Sequence, residues 1–187
     1  ITLVSEYTDE KTPSNFGTYV NSNCKLVAPI ENISSHPDEK FKKTQKIVGF
    51  DIDSIYDTWN SNFKYRYIDY KGENGNVMFP FMYQQSTGNL SRFFAIQNQE
   101  HQEHALQYTL NKEFDILGFK NRFTIGSDYN KSYSEIAMFA DMTQFSSIKL
   151  ANPNYGRLSD LKDHSNAKDM SSPKTFVENY GIFLQDN

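Results

Sequence analysis

The segment Glu100–His104, Glu-His-Gln-Glu-His, gathers two imidazoles and two carboxylates within five positions. Those side-chain types bind zinc, and on a helix a His-x-x-Glu-His spacing places them on one face. Here only Gln102 separates His101 from Glu103, so the helical spacing fails. On a strand His101 and His104 point to opposite faces, and a solvated ribbon accounts for them without a metal. Asp51 and Asp53 lie two apart and share one strand face. Paired carboxylates of that kind suit glycoside chemistry, but a charged, hydrated lumen wall explains them without a reaction and is the reading preferred. Cys24 has no neighbouring His or Asp pattern to activate it, and His36 and His164 stand alone in polar segments where a surface position is expected. The triplets Asn-Ile-Ser at Asn32, Asn-Leu-Ser at Asn89 and Asn-Lys-Ser at Asn130 match the glycosylation pattern, which is common by chance. Gly-x-Ser-x-Gly, a glycine-rich phosphate loop and Cys-x-x-Cys are all absent. The expectation is a protein that is not an enzyme.

The elements that must carry these residues are strands. Val48, Phe50, Ile52 and Tyr56 alternate with Gly49, Asp51 and Asp53. Phe63, Tyr65 and Tyr67 alternate with Lys64 and Arg66, and Leu106, Tyr108 and Leu110 with Gln107, Thr109 and Asn111. The same holds for Phe123, Ile125 and Tyr129, and for Tyr180, Ile182 and Leu184. A period of two makes one apolar and one polar face. It predicts about six strands: 1–8, 43–56, 60–70, 92–114, 119–136 and 176–185. Helical period is scarce, and 158–170 reads as a polar loop.

Composition sharpens the problem of what covers the apolar faces. The chain has 187 residues, 37% hydrophobic but 15% aromatic, a thin supply for a soluble core of this size. Its net charge of −4, with Lys and Arg scattered, gives no basic stripe, so nucleic acid is not expected as a partner. One cysteine excludes an internal disulfide framework. The apolar runs are all too short for a transmembrane helix, and the start lacks a signal-peptide pattern. Both ends fall within strand-like runs, so a fragment of a longer chain is expected.

The connections point to lipid. Segments 9–42, 71–91 and 137–175 are long and polar, whereas those near Trp59 and Leu117 are short. In an up-and-down antiparallel sheet this order puts every long loop at one end, as in outer-membrane barrels. Lipid would then cover the apolar face and a lumen the polar one, and ladder hydrogen bonds would satisfy the backbone. Tyr56, Trp59, Phe114 and Phe119 near the short turns fit an interfacial aromatic girdle. The polar upper part of the fourth strand, "AIQNQEHQEH", is expected to stand above the membrane. Six strands cannot close such a barrel. On the long-loop side lie Phe16, Tyr19, Phe79, Phe81, Tyr83 and Phe139. These aromatics bind a ligand, pack the loops together or mark the outer interfacial girdle. A soluble β-sandwich or lipocalin-like binding domain is the competing expectation, and it requires the apolar faces to pack on each other.

Several ordered motifs carry a family resemblance. They are "ITLVSEYTDEKTPSNFG", "FKKTQKIVGFDIDSIYDTWNSNFKYRYIDY", the hairpin containing "GSDY", "LANPNYG" and "ENYGIFLQDN". Together they resemble the barrel of TonB-dependent siderophore receptors, close to the ferrichrome-receptor branch, over nearly the whole length. The resemblance implies an all-β fold in which 1–187 is part of a barrel of about 22 strands, with the plug domain and remaining strands outside this chain. It implies a bacterial outer-membrane receptor that imports a ferric siderophore, driven by the TonB complex through the plug. Iron would be held only by the siderophore, with no protein cofactor. Phe79 and Phe81 match the family's aromatic pair after the third strand, and Phe139 the aromatic after the fifth. Phe16 and Tyr19 lie in the loop that contributes others. The family often has Tyr or Trp where this chain has Phe, which removes hydroxyls that bond a polar ligand. A receptor of the same fold for cobalamin or a glycan is the alternative cargo reading.

Overall fold

The computed structural model describes residues 1–14, 16, 17, 19–21, 23–157 and 166–186. It is all-β: β1 (Thr2–Pro13), β2 (Lys40–Tyr56), β3 (Trp59–Gln84), β4 (Asn89–Ile116), β5 (Phe119–Lys149), β6 (Lys168–Asp169) and β7 (Thr175–Asp186). No helix occurs among the described residues. The seven strands form one antiparallel sheet in sequence order, with β6 pairing the upper part of β5 and β7 the lower part. At the lower end β2 and β3 join through Asp57 and Thr58, and β4 and β5 through Leu117 and Gly118. Leu117 and Gly118 both have positive φ (54° and 85°), as a two-residue turn matched to strand twist requires.

The register brings all the alternating faces into phase. Leu3, Phe50, Tyr65, Leu106, Tyr129 and Tyr180 form one row across six strands. Below it run Ile52, Phe63, Tyr108, Ser127 and Ile182, then Ser54, Ser61, Leu110, Ile125 and Leu184. The opposite face carries rows such as Asp51, Lys64, Gln107 and Asp128. Among the described residues nothing covers the apolar rows: Leu3 is 81% exposed and Ile182 83%. One-residue slips would have thrown each apolar set to the other side.

The strands are far longer than expected from sequence. β3, β4 and β5 have 26, 28 and 31 residues. At about 3.3 Å per residue β4 would reach roughly 90 Å, about three times the hydrocarbon thickness of a bilayer. Segment 71–91 is therefore not a loop: it continues β3 to Gln84, turns at 85–88 and returns as β4. Residues 137–149 likewise belong to β5. The remaining long connections, 14–39 and 150–174, leave from the upper end.

The core sits in that upper region. Leu90, Ile148 and Leu150 are buried, with Tyr19, Val27, Ala28, Tyr83 and Tyr155 packed on them. The register shifts insert their extra residues into β3 and β5, leaving β4 without an insertion. Alternation along β4 therefore puts Leu90, Arg92 and Phe94 on the face of Leu106, and Phe93 on the face of Gln107. The β1–β2 connection thus supplies a second layer over the upper part of the apolar face only.

Candidate binding surface

The upper end of the opposite face carries an aromatic patch. Phe79 lies opposite Phe93 in the β3–β4 register, their rings stacked at 5.7 Å and 17°. Phe16, from the β1–β2 connection, packs on Phe79 at 4.6 Å. Phe81 occupies the bulge where the register shifts between Pro80 and Met82. From there it meets Phe93 edge-on at 6.3 Å and Phe145 at 5.1 Å. Phe16, Phe81 and Phe145 remain 40%, 55% and 48% exposed. Pro80 can sit inside this strand because β2 stops pairing at Asn74 and a bulge follows.

Next to the patch, Thr12, Pro13, Phe16, Phe41, Gln97 and Gln99 line an open cleft of about 280 Å³. Gln97 and Gln99 share the β4 face of Phe93 by alternation. Their amides donate and accept hydrogen bonds, whereas the phenylalanines offer only ring faces and edges. The arrangement can hold a ligand with an apolar or planar portion and a polar rim.

Three of the aromatics singled out from sequence, Phe16, Phe79 and Phe81, meet here. Tyr19 does not: it packs on Tyr83 at 5.9 Å in the core around Leu90, and burial pushes its hydroxyl above the ordinary tyrosine range. Phe139 pairs with Ile96 and Asp169, which alternation puts on the face opposite Phe93. Sequence reasoning missed Phe93 and Phe145. The signal was available for Phe93: once 84–89 is read as a hairpin turn, "RFFAI" folds back directly onto "VMFPF".

The other candidates resolve into structural roles. Arg66 grips Asp51 with Nη1–Oδ1 at 2.6 Å and Nη2–Oδ2 at 3.0 Å. Asn62 donates to Asp53 at 2.6 Å, so the two carboxylates serve different partners. His104 bonds the Tyr65 hydroxyl at 2.8 Å, and His101 meets Glu103 at 3.3 Å. No group of three or more His, Cys, Asp or Glu side chains able to hold a metal occurs among the described residues. Cys24 is exposed. Asn32 uses its amide to donate to the Leu150 carbonyl at 2.6 Å. His164 and most of 158–170 lie outside the described residues. His36 corrects expectation: it is 2% exposed, not a surface residue. Its Nδ1 accepts from the Asp38 amide at 3.1 Å, and its ring meets Tyr155 edge-on at 5.9 Å. A buried loop histidine leaves no periodic trace in sequence.

No protein-family profile matches the chain, and no curated protein is significantly similar to it.

Proposed function

We propose that this chain forms part of the barrel wall of a bacterial outer-membrane receptor that imports ferric siderophores under TonB drive. The observation that carries the proposal is the apolar band. Six strands present in-phase apolar rows with large exposed side chains and, among the described residues, no protein layer over them. Contiguous apolar surface of that kind suits lipid, and the ladders satisfy its backbone as hydrocarbon demands. A soluble sandwich needs a second sheet there, and the described residues bury apolar side chains in the upper part of the sheet instead.

On this reading the polar face lines a lumen, and the long strands raise the Phe16–Phe79–Phe93–Phe81–Phe145 patch above the membrane, facing inward. The siderophore keeps the iron in its own oxygens and gives the patch its apolar parts, while Gln97 and Gln99 bond its rim. The plug that couples to TonB lies outside this chain. The test is ferric-siderophore binding by the full-length protein carrying Phe79→Ala and Phe81→Ala together. Affinity is expected to fall about tenfold or more, from two lost ring contacts of roughly 1 kcal/mol each. Unchanged affinity would remove these residues from the site. A wild-type protein that stays monomeric and soluble without detergent would end the membrane assignment.

A further inference from the structure

β2 ends at Lys40 while β3 climbs to Gln84. Above Asn74 the β3 edge therefore has no β2 partner. The Met78 amide on that stretch is satisfied instead by a side chain: it donates to Glu39 Oε1 at 2.9 Å. Glu39 stands in for the missing strand. The same residue closes the β1–β2 connection, because the Ser14 amide donates to the Glu39 carbonyl at 3.1 Å. Ser35 Oγ donates to the Ser14 carbonyl, and Arg92 Nη1 donates to the Ser35 carbonyl at 2.5 Å. Ser14 is two residues from Phe16, which rests on Phe79.

Glu39 is only 2% exposed, and its Oε2 has no hydrogen-bond partner. An ionised carboxylate so placed is costly, and neutralisation by a proton relieves it. The groups around it do not remove the cost. Arg92 from β4 spends its guanidinium on Ser35 and on Ser146 Oγ at 3.0 Å, without an ion pair to Glu39. Asp141 of β5 stands in the row of Met78 and Phe94 and is itself buried. His36 and Asp38 belong to the same loop, and Tyr155 approaches from the 150–157 segment. Burial pushes the Glu39 carboxyl up to about 7, against the opposing pull of the Met78 amide bond and the Arg92 charge.

We propose that Glu39 is a proton-operated latch: neutral, it locks the β1–β2 connection onto the β3 edge and holds Phe16 against Phe79, and ionised, it releases that end of the loop. Because docking raises the carboxyl, docking is favoured fully below pH 4.5 and loses that advantage as pH rises towards about 7. Between those values each pH unit weakens docking about tenfold.

The latch needs only the loop and the sheet. Its effect on a ligand rests on the proposed siderophore site, and the test reads the latch with no ligand present. Amide hydrogen exchange at Ser14 and Met78, corrected for intrinsic rates, is followed from pH 5 to 8 in the full-length protein in detergent. Protection is expected to fall about tenfold per unit between pH 5 and 7 and then flatten. Glu39→Gln keeps an oxygen for Met78 without a charge, so its profile should be flat. A flat wild-type profile, protection that falls on acidification, or a variant with the wild-type slope would each overturn the latch. The wild-type profile decides alone if the variant does not fold.

Discussion

The lower and upper parts of this sheet solve the same problem differently. Both have an apolar side on one face of β4. Below, Leu106, Tyr108 and Leu110 lie in rows that no protein layer covers among the described residues. Above, Leu90 and Ile148 lie under Tyr19, Val27 and Ala28. The lower part is stabilised by strand pairing and by whatever surrounds it, the upper part by its own core. The two should therefore respond in opposite ways to truncation and to charge.

The largest effect is expected in the upper core. Leu90→Ala removes a fully buried side chain and leaves a cavity, costing about 4 kcal/mol. Exchange protection of the β1–β2 connection should collapse while that of the lower ladder persists, since the two parts are stabilised separately. Loss of both together would make the sheet a single cooperative unit and break the comparison.

Next is charge on the lower face. Ile125 pairs with Leu110 and Leu184 in the middle of the apolar rows. Ile125→Arg should cost about 3 kcal/mol if that row lies near the bilayer midplane. On a water-exposed sheet it should cost within about 0.5 kcal/mol. Chemical denaturation of the protein refolded into lipid vesicles separates these outcomes.

A smaller effect tests the polar face. A Cβ on Gly126 would fall inside the Phe183 ring that covers it from β7. Gly126→Ala must push that ring aside, at about 1–2 kcal/mol. The cost should largely vanish in a Phe183→Ala background, which a double-mutant cycle measures.

What was legible in sequence follows the same division. The lower rows were readable because alternation is a local signal: Phe63, Tyr65 and Tyr67 announce their face without help from β2 or β4. The upper part was not. In β3 the bulge at Phe81 and the shift after Asn74 break the period, and Pro80 argues against a strand. The buried set Ser35, His36, Glu39 and Arg92 draws on a loop and a strand far apart in sequence, so no window of residues reports it. Of the aromatic patch, Phe16, Phe79 and Phe81 were found as exposed-loop aromatics. Their meeting with Phe93 follows once the 84–89 turn is read, but that with Phe145 depends on bulges that sequence pattern does not encode.

The smallest prediction asks whether the polar face is wet. Arg122 and Glu113 are partners in the β4–β5 register near the Leu117 turn, with Nη2–Oε1 at 2.5 Å. Their side chains are 58% and 63% exposed. Along β4, Glu113 shares the face of Gln107 and Asn111, the side assigned to the lumen. If water fills that side, the pair is screened and holds two long side chains at an entropic cost that offsets most of the attraction. Glu113→Gln should then change stability by less than about 1 kcal/mol, and added salt should shrink the difference further. If that face were dry, the variant would strand an unpaired guanidinium at a cost of about 3–5 kcal/mol that salt would hardly alter. A small, salt-sensitive difference here beside a large one at Ile125 requires the two faces of the lower sheet to meet different solvents.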